Sequence, residues 1–270
     1  MKNWRRNERI TVITKMILEK PNLLLSMNIF TDFFQVAKST ISEDISIIKN
    51  VFQRMGCGKI QTQIGAGGGV IFSPGVAPQE KAEFLQSIAD KFTDPSRILP
   101  GGFLYLTDLV FDVQVAEMVG KIFAEHFLAL SPHYVVTIET KGVPLAMMTA
   151  KYLNIPLVIV RDGGRVTEGS AVSLNYVTGS SRHIRTMSLS RRSLPTDSKV
   201  IIIDDFMKAG GTAKGMIELL TEFKAEVLGI GVLIDTEVPE QKLVANYTAL
   251  LKLSKVDENN REIILNPHKR

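Results

Sequence analysis

The stretch that decides the fold of this sequence is Val200-Ile201-Ile202-Ile203-Asp204-Asp205-Phe206-Met207-Lys208-Ala209-Gly210-Gly211-Thr212. Its four apolar residues predict a buried strand that ends at two carboxylates, and a short loop with two glycines then leads into a helix. Gly210 and Gly211 let the backbone approach an anion closely, and the N–H groups at a helix start favour a phosphate. Thr212 is placed to cap that helix and to donate to a phosphate oxygen.

The two carboxylates need a different explanation, because they do not attract a phosphate. Asp204 and Asp205 are suited to accept hydrogen bonds from the two hydroxyl groups of a ribose. The stretch as a whole therefore predicts a cradle for a ribose 5-phosphate group. It is not a Walker A loop, which has Gly-Lys-Thr/Ser after four free positions, and it is not GxGxxG.

Other apolar runs in the second part of the chain predict an α/β fold. They lie at residues 134–138, 157–160, 200–203 and 227–234, and helical patterns around Leu145 and Met216 separate them. Strands that are apolar on both faces and separated by helices indicate a doubly wound, mostly parallel sheet. Ligands of such sheets bind beyond the carboxyl ends of the strands, so the informative residues should follow these runs.

The first 74 residues predict three helices. Isoleucines at helical spacing indicate a first helix over residues 5–19. Ser26 or Asn28 is placed to cap a second helix, which runs to Phe34. Ser39 or Thr40 is expected to cap a third helix, with Glu43 completing a capping box, and Gly56 and Gly58 end it.

A β-hairpin is expected after the third helix. Residues 59–64 alternate between polar and apolar, residues 70–72 form the returning strand, and the glycine-rich stretch 65–69 lies between them. This order is the pattern of a winged helix-turn-helix. The sequence thus predicts a winged-helix DNA-binding domain over 1–74 and a ligand-binding domain over 75–270, in which 75–103 is a connecting segment.

Charge supports this division. Residues 1–74 hold ten Lys and Arg against five Asp and Glu, whereas the rest of the chain is nearly neutral. A basic module on a neutral body favours nucleic acid as a partner, and a solvated surface without a partner is the alternative. The single cysteine, Cys57, fits a cytoplasmic protein. We expect no membrane partner, because no apolar run reaches the length of a membrane helix, and no metal site, because the four histidines are scattered.

The stretch from Val200 to Thr212 resembles the PRPP-binding signature of type I phosphoribosyltransferases. Residues 139–146 (Glu-Thr-Lys-Gly-Val-Pro-Leu-Ala) look like the pyrophosphate loop of the same family. Residues 161–192 lie where that family has a flexible lid. Five arginines of this region could meet phosphates of a nucleotide or of DNA, although solvated charge is the simpler interpretation of each: Arg165, Arg182, Arg185, Arg191 and Arg192.

The chain as a whole resembles the purine operon repressors of Gram-positive bacteria. The stretches that carry this resemblance are residues 39–44, 98–102, 105–108, 166–170 and 204–212, and it weakens after about residue 235. The resemblance implies a homodimer that represses genes of purine synthesis and transport at inverted-repeat operators on double-stranded DNA. It implies PRPP as the effector that relieves repression, with Mg²⁺ as an optional companion and guanosine tetraphosphate as a second candidate for the same pocket.

The same resemblance assigns roles to residues of the second domain. Asp204 and Asp205 would hold the ribose hydroxyls, residues 209–212 the 5-phosphate, and residues 140–142 the pyrophosphate. Phe206 could stack on a base or serve as a core or lid contact. Lys208 departs from the enzymes, and a cation there adds affinity for an anionic effector. The expected effector-binding residues are Thr140, Lys141, Gly142, Asp204, Asp205, Phe206, Lys208, Ala209, Gly210, Gly211 and Thr212.

DNA contacts are expected from the start of the third helix and from the hairpin. The expected residues are Lys38, Ser39, Thr40, Ser42, Lys59, Gly67 and Gly68, with Arg5, Arg6 and Arg9 as further phosphate contacts. The sequence leaves one alternative open, a catalytically active purine phosphoribosyltransferase with an accessory N-terminal domain. That reaction depends on positioning and electrostatics, so no missing side chain excludes it.

Overall fold

The computed structural model describes residues 4–65, 67–163, 169–177 and 184–268. The chain forms two compact units, one of Met1–Pro78 with Lys151–Asn154 and one of Gln79–Ala150 with Ile155–Arg270. Within the described residues, no helix combines the length and the apolar character needed to span a bilayer.

The first unit is a winged helix. It contains α1 (Arg6–Leu18), β1 (Leu25–Ser26), α2 (Met27–Phe34), α3 (Lys38–Met55), β2 (Gly58–Gln63) and β3 (Gly69–Pro74). The three strands form an antiparallel sheet in the order β1-β3-β2. Apolar residues of all three helices and the hairpin make its core, among them Ile13, Phe30, Ile45 and Val70. The winged helix-turn-helix expected from the sequence is confirmed.

The ends of the helices agree with the sequence in two places and differ in one. Ser26 caps α2, since its hydroxyl accepts a hydrogen bond from the Asn28 N–H, and Gly56 ends α3 with a φ of 66°. The expected cap of α3 by Ser39 or Thr40 is wrong, because the helix begins at Lys38 and Ala37 precedes it. Gln35 ends α2 in the left-handed conformation, and two further residues lead directly into α3. That short turn fixes where α3 starts.

The second unit begins with three α-helices and a short two-stranded antiparallel sheet. These are α4 (Pro78–Phe92), β4 (Ile98–Leu99), β5 (Phe103–Leu104), α5 (Thr107–Val110) and α6 (Val113–Phe127). The sheet and its helices follow as β6 (Tyr134–Ile138), α7 (Gly142–Leu153), β7 (Leu157–Asp162), β8 (Ala171–Val177), β9 (Ile184–Ser190), β10 (Lys199–Met207), α8 (Gly211–Thr221), β11 (Glu226–Thr236), β12 (Tyr247–Asp257) and β13 (Glu262–Pro267).

Eight strands form one mostly parallel sheet in the order β13-β12-β11-β10-β6-β7-β9-β8. The five central strands, from β12 to β7, are parallel. The strand β13 and the hairpin β8–β9 add antiparallel strands at the two edges. This confirms the α/β fold class expected from the sequence.

Helices cover both faces of the sheet. Ile230 and Val232 of β11 pack in one cluster with Met216 and Leu219 of α8. The alternate residue Gly231 lies against Phe123 of α6, where an added Cβ would come within 2.8 Å of the ring. Successive residues of a strand point to opposite faces, so α8 and α6 lie on opposite sides of the sheet.

One strand is longer than the sequence indicated. β10 runs to Met207, so Asp204, Asp205 and Phe206 lie within the strand and do not follow it. The extension exists because β11 continues beside it, with Asp204 paired to Val232 and Phe206 to Ile234. The backbone that carries the two carboxylates is therefore held in place by the hydrogen bonds of the sheet.

Candidate functional site

A cavity of about 660 Å³ lies at the carboxyl ends of the central strands. Three stretches expected from the sequence line it together: the end of β10, the loop before α8 and the segment after β6. Every expected effector residue except Gly142 is part of the lining, and Gly142 lies directly behind it against Asp204. The position follows from the parallel pairing of β6 with β10, which brings residues distant in sequence to one edge.

Asp204 and Asp205 place two carboxyl groups in this cavity. Asp204 is buried, and its Oδ1 accepts a hydrogen bond from the Asp205 N–H at 2.9 Å. Burial, and then the neighbouring Asp205, raise the pKa of Asp204 well above its ordinary value. Burial also raises the pKa of Asp205, and Lys141 opposes that shift. Both groups therefore gain from donors that a ligand would bring, such as ribose hydroxyls.

The loop before α8 offers backbone N–H groups to an anion. Gly210 has a φ of 83°, a conformation that favours glycine, and α8 begins at Gly211 with no side-chain cap. The first N–H groups of the helix thus have no partner within it, and the helix dipole adds to their attraction for a phosphate. The expected capping role of Thr212 is wrong, because Gly210 occupies the cap position and Thr212 lies inside the first turn.

The segment after β6 brings a cation and a close backbone contact. Lys141 is half-buried and lines the cavity, while Thr140 is exposed at its edge. α7 begins at Gly142, where an added Cβ would lie 2.5 Å from Thr137 Oγ1 and 2.8 Å from Asp204 Oδ1. Gly142 therefore lets this segment pack directly against the carboxylate pair.

The hairpin β8–β9 contributes to one side of the cavity. Tyr176 and Arg185 line it, and Arg185 Nη1 lies 3.2 Å from Asp162 Oδ2. Arg191 and Arg192 are exposed beyond β9 and do not line the cavity. Arg165, Arg182 and residues 166–168 of the resemblance lie outside the described residues.

Several lining residues were not expected from the sequence. Thr236 ends β11 and Val238 follows it, and the lining also includes residues 102–104, 106 and 253–256. Thr236 could have been found, since it follows an apolar run that we expected to be a parallel strand. Gly102 and Leu106 lie in stretches that carry the resemblance, whereas residues 253–256 give no such signal, because their place at the cavity depends on how β12 lies in the sheet.

No cluster of three or more His, Cys, Asp or Glu side chains suited to a metal occurs among the described residues. The carboxylate pair could still share a divalent cation with phosphate oxygens of a ligand, because Mg²⁺ prefers oxygen ligands of this kind.

The expected DNA-contacting residues lie at two places of the winged helix. Lys38, Ser39 and Ser42 are exposed in the first turns of α3, and Thr40 is half-buried there. Lys59 is exposed at the start of β2, and Gly67 and Gly68 lie in the turn between β2 and β3.

The arginines of α1 differ in their surroundings. Arg9 is mostly buried and its Nε lies 2.8 Å from Oδ2 of the fully buried Asp44. Arg6 is half-exposed, with Nε 3.3 Å from Asp44 Oδ1 and Nη2 3.5 Å from Glu43 Oε2. Arg5 is exposed, and its backbone N–H donates to Glu8. Arg6 and Arg9 therefore both join α1 to α3 through Asp44.

Two known families match this chain, one in each of its two parts. The family described as "Bacterial purine repressor, N-terminal" matches residues 5–74, and the family described as "Phosphoribosyl transferase domain" matches residues 110–267.

Two relatives match over almost the whole chain. The purine biosynthesis transcriptional repressor PurR of Bacillus subtilis (strain 168) is 48% identical over 260 residues, which is 96% of this chain and 91% of the relative. The purine biosynthesis transcriptional activator PurR of Lactococcus lactis subsp. lactis (strain IL1403) is 39% identical over 259 residues, 96% of each chain.

Among solved structures, adenine phosphoribosyltransferase from Thermoanaerobacter pseudethanolicus ATCC 33223 superimposes with a TM-score of 0.54. It covers 62% of this chain and 98% of its own, at 18% identity. At that identity the likeness concerns the fold alone.

Proposed function

The chain belongs to the bacterial purine repressor family. We propose that it represses genes of purine biosynthesis and transport by binding operator DNA, and that PRPP opposes this binding. The observation that carries the proposal is that one chain joins a winged helix to a cavity in which the buried Asp204 and the half-buried Asp205 lie near the start of a helix without a side-chain cap. The winged helix alone would not explain the ligand cavity, and the cavity alone would not explain the winged helix.

PRPP fits the cavity by its chemistry. Asp204 and Asp205 accept hydrogen bonds from the ribose hydroxyls, and the N–H groups of residues 209–212 bind the 5-phosphate. Lys141 and the backbone of residues 140–142 bind the pyrophosphate, with Mg²⁺ as its companion cation. Lys208 is exposed at the rim, where its charge attracts an anionic effector. Guanosine tetraphosphate, which also carries ribose and diphosphate groups, competes for the same position.

DNA contacts come from the winged helix. Lys38, Ser39 and Ser42 at the start of α3 read the major groove, and Lys59 and the turn between β2 and β3 contact the backbone. The protein acts as a homodimer, because an inverted repeat presents two identical half-sites.

The second candidate is a purine phosphoribosyltransferase, which is supported by the residues that the resemblance assigns to PRPP, because all of them except Gly142 line this cavity. We propose that catalysis is absent and that the cavity serves sensing alone. An assay for pyrophosphate release with PRPP and adenine, guanine, hypoxanthine or xanthine separates the two. Sustained turnover with any of these bases would contradict the sensor without catalysis.

The experiment that tests the proposal is an electrophoretic shift titration of a purine-gene promoter fragment at two fixed salt concentrations, with and without PRPP and Mg²⁺. The wild type should bind the promoter more tightly than random DNA, and PRPP should weaken this binding. The variant Asp204→Ala/Asp205→Ala should bind the promoter as the wild type does and ignore PRPP. Equal affinity for promoter and random DNA, or a double variant that still responds fully, would contradict the proposal.

A further inference from the structure

Lys242 is a buried cation that does not line the cavity but lies behind it. Its side chain is 5% exposed, and its Nζ donates to the backbone oxygens of Lys208 and Thr236, both at 2.5 Å. Lys208 belongs to the ligand loop and Thr236 lines the cavity at the end of β11. One ammonium group thus joins the two neighbouring strand ends that border the cavity.

The residues after Lys242 continue this support. The Leu243 N–H donates to the Ala209 oxygen at 2.8 Å, and an added Cβ on Gly210 would lie 3.3 Å from Leu243 N and from a methyl group of Val244. None of Lys242, Leu243 and Val244 lines the cavity, whereas Ala209 and Gly210 do. The segment 242–244 therefore packs on the rear of the ligand loop.

Two hydrogen bonds from this segment set the direction of the loop's amides. In a trans peptide, the C=O and N–H groups point in opposite directions. Because Lys242 binds the Lys208 oxygen, the Ala209 N–H points away from the segment. Because Leu243 binds the Ala209 oxygen, the Gly210 N–H points away as well. Both N–H groups are thereby directed to the cavity side, where an anion would accept from them.

The charge of Lys242 is balanced locally. Asp235 Oδ1 lies 3.1 Å from Lys242 Nζ, and Asp235 Oδ2 accepts a hydrogen bond from the Tyr247 hydroxyl at 2.9 Å. Burial, and then the bond to Asp235, raise the pKa of Tyr247 to about 12, so the phenol remains a donor. The cation is thus held in place without drawing on the ligand's charge.

We propose that Lys242 is a positioning residue for the effector phosphate: it fixes the peptide at Lys208–Ala209 so that the loop's N–H groups are preorganised for the 5-phosphate. This inference rests on the proposed function. It predicts that Lys242 strengthens binding of the 5-phosphate end of PRPP and has no effect on the pyrophosphate end, which lies on the separate segment after β6.

The test compares two variants that differ only at Lys242. Asp235→Asn removes the buried carboxylate and keeps the ammonium donor, while Asp235→Asn/Lys242→Met removes both charges and so leaves neither unpaired. Calorimetry with ribose 5-phosphate and with inorganic pyrophosphate measures the two ends of the cavity separately, and melting temperatures establish that both variants are folded.

Ribose 5-phosphate should bind about tenfold more weakly to the double variant than to Asp235→Asn, the loss expected for one charge-assisted hydrogen bond. Pyrophosphate affinity should stay the same in both. Lys121→Met, which removes an ion-paired lysine of α6 outside the cavity lining, should bind both ligands as the wild type does. If the double variant with Lys242→Met does not fold, Lys242→Gln in the Asp235→Asn background replaces it. A neutral amide then stands where the ammonium donor was, so the loss of ribose 5-phosphate affinity should be intermediate.

Unchanged ribose 5-phosphate affinity, or an equal loss for ribose 5-phosphate and pyrophosphate, would overturn the positioning role alone. A wild type that binds neither PRPP nor ribose 5-phosphate would overturn the proposed function and this inference with it.

Discussion

At the scale of single residues, Asp204 and Asp205 are the residues of the cavity whose loss of hydration is energetically unfavourable. Carboxyl groups in a buried position lose hydration, and their pKa values rise because the charged form is disfavoured. Hydrophobic residues would fill the end of β10 more favourably. The presence of two acids beside an anion-binding helix start is understandable if a ligand with paired hydroxyl donors occupies the site.

This cost gives a pH-dependent prediction. Because the folded-state pKa of Asp204 is raised, the folded protein binds more protons than the unfolded chain, and its stability falls as the pH rises from the ordinary aspartate pKa of about 3.9 through the raised one. Asp204→Asn should therefore melt a few degrees higher than the wild type near neutral pH, where about 1 kcal/mol corresponds to roughly 2–4 °C. The difference should vanish below the ordinary pKa.

Calorimetric melting curves of the wild type and Asp204→Asn across the acidic and neutral range measure this effect. Asp90→Asn, at an exposed position of α4, is the control and should show no such trend. An Asp204→Asn variant that melts lower than the wild type at neutral pH would contradict the prediction.

Gly142 makes a second prediction at this scale. A methyl group there would meet Thr137 Oγ1 at 2.5 Å and Asp204 Oδ1 at 2.8 Å, so the segment after β6 must move. Gly142→Ala should cost about 1–3 kcal/mol in stability, as overpacking does. It should weaken PRPP binding at least about tenfold, because displaced groups lose alignment with the ligand. Calorimetric titration measures the second effect.

Met147→Ala, at an exposed position of the same helix α7, is the matched control and should leave PRPP affinity unchanged. Gly142→Ala with wild-type affinity would show that the cavity tolerates a displaced segment.

At the scale of elements, the contact between α1 and α3 rests on a buried ion pair. Asp44 is fully buried and pairs with Arg9, whose side chain is 11% exposed. Removing one partner of such a pair leaves the other charge buried and unpaired. Asp44→Ala should therefore destabilise the first unit by about 3 kcal/mol.

The neighbouring Glu43 supplies the control. It is 70% exposed and lies 3.5 Å from Arg6, so Glu43→Ala should change stability by well under about 1 kcal/mol. Urea unfolding followed by the fluorescence of Trp4 reports on this unit, because Trp4 is the only tryptophan and packs against Phe33 and Phe34. Equal effects of the two substitutions would contradict the importance of the buried pair.

The sequence predicted elements best where one local pattern decides them. The run at 134–138 is β6 itself, and the hairpin of the winged helix lies within one or two residues of its expected place. The start of α3 and the length of β10 were missed, because a left-handed Gln35 and pairing with β11 determine them. Lys242 was missed for the same reason, since its partners Lys208 and Asp235 become neighbours only in the folded chain.

At the scale of the whole molecule, the proposed regulation requires a coupling free energy between the cavity and the DNA-binding surface. Such couplings are typically about 1–3 kcal/mol, and they are reciprocal. PRPP should therefore weaken operator binding by a certain factor, and operator DNA should weaken PRPP binding by the same factor. Fluorescence anisotropy with labelled operator and calorimetry with PRPP, at one salt concentration, measure the two factors independently.

Random DNA of the same length is the control and should leave PRPP affinity nearly unchanged. PRPP affinity that is identical with and without operator would contradict regulation through this cavity, even if both ligands bind.

The strand order of the second unit has a consequence for synthesis of the protein. The cavity needs the ends of β6 and β10 side by side, and β7, β8 and β9 lie between them in the chain. Domains fold from the N-terminus onwards as the ribosome extends the chain. The last strand of the winged helix ends at Pro74, so all of its helices and strands are made before β10. Under the proposed function, each nascent chain acquires its means of holding DNA before it acquires the means of releasing it.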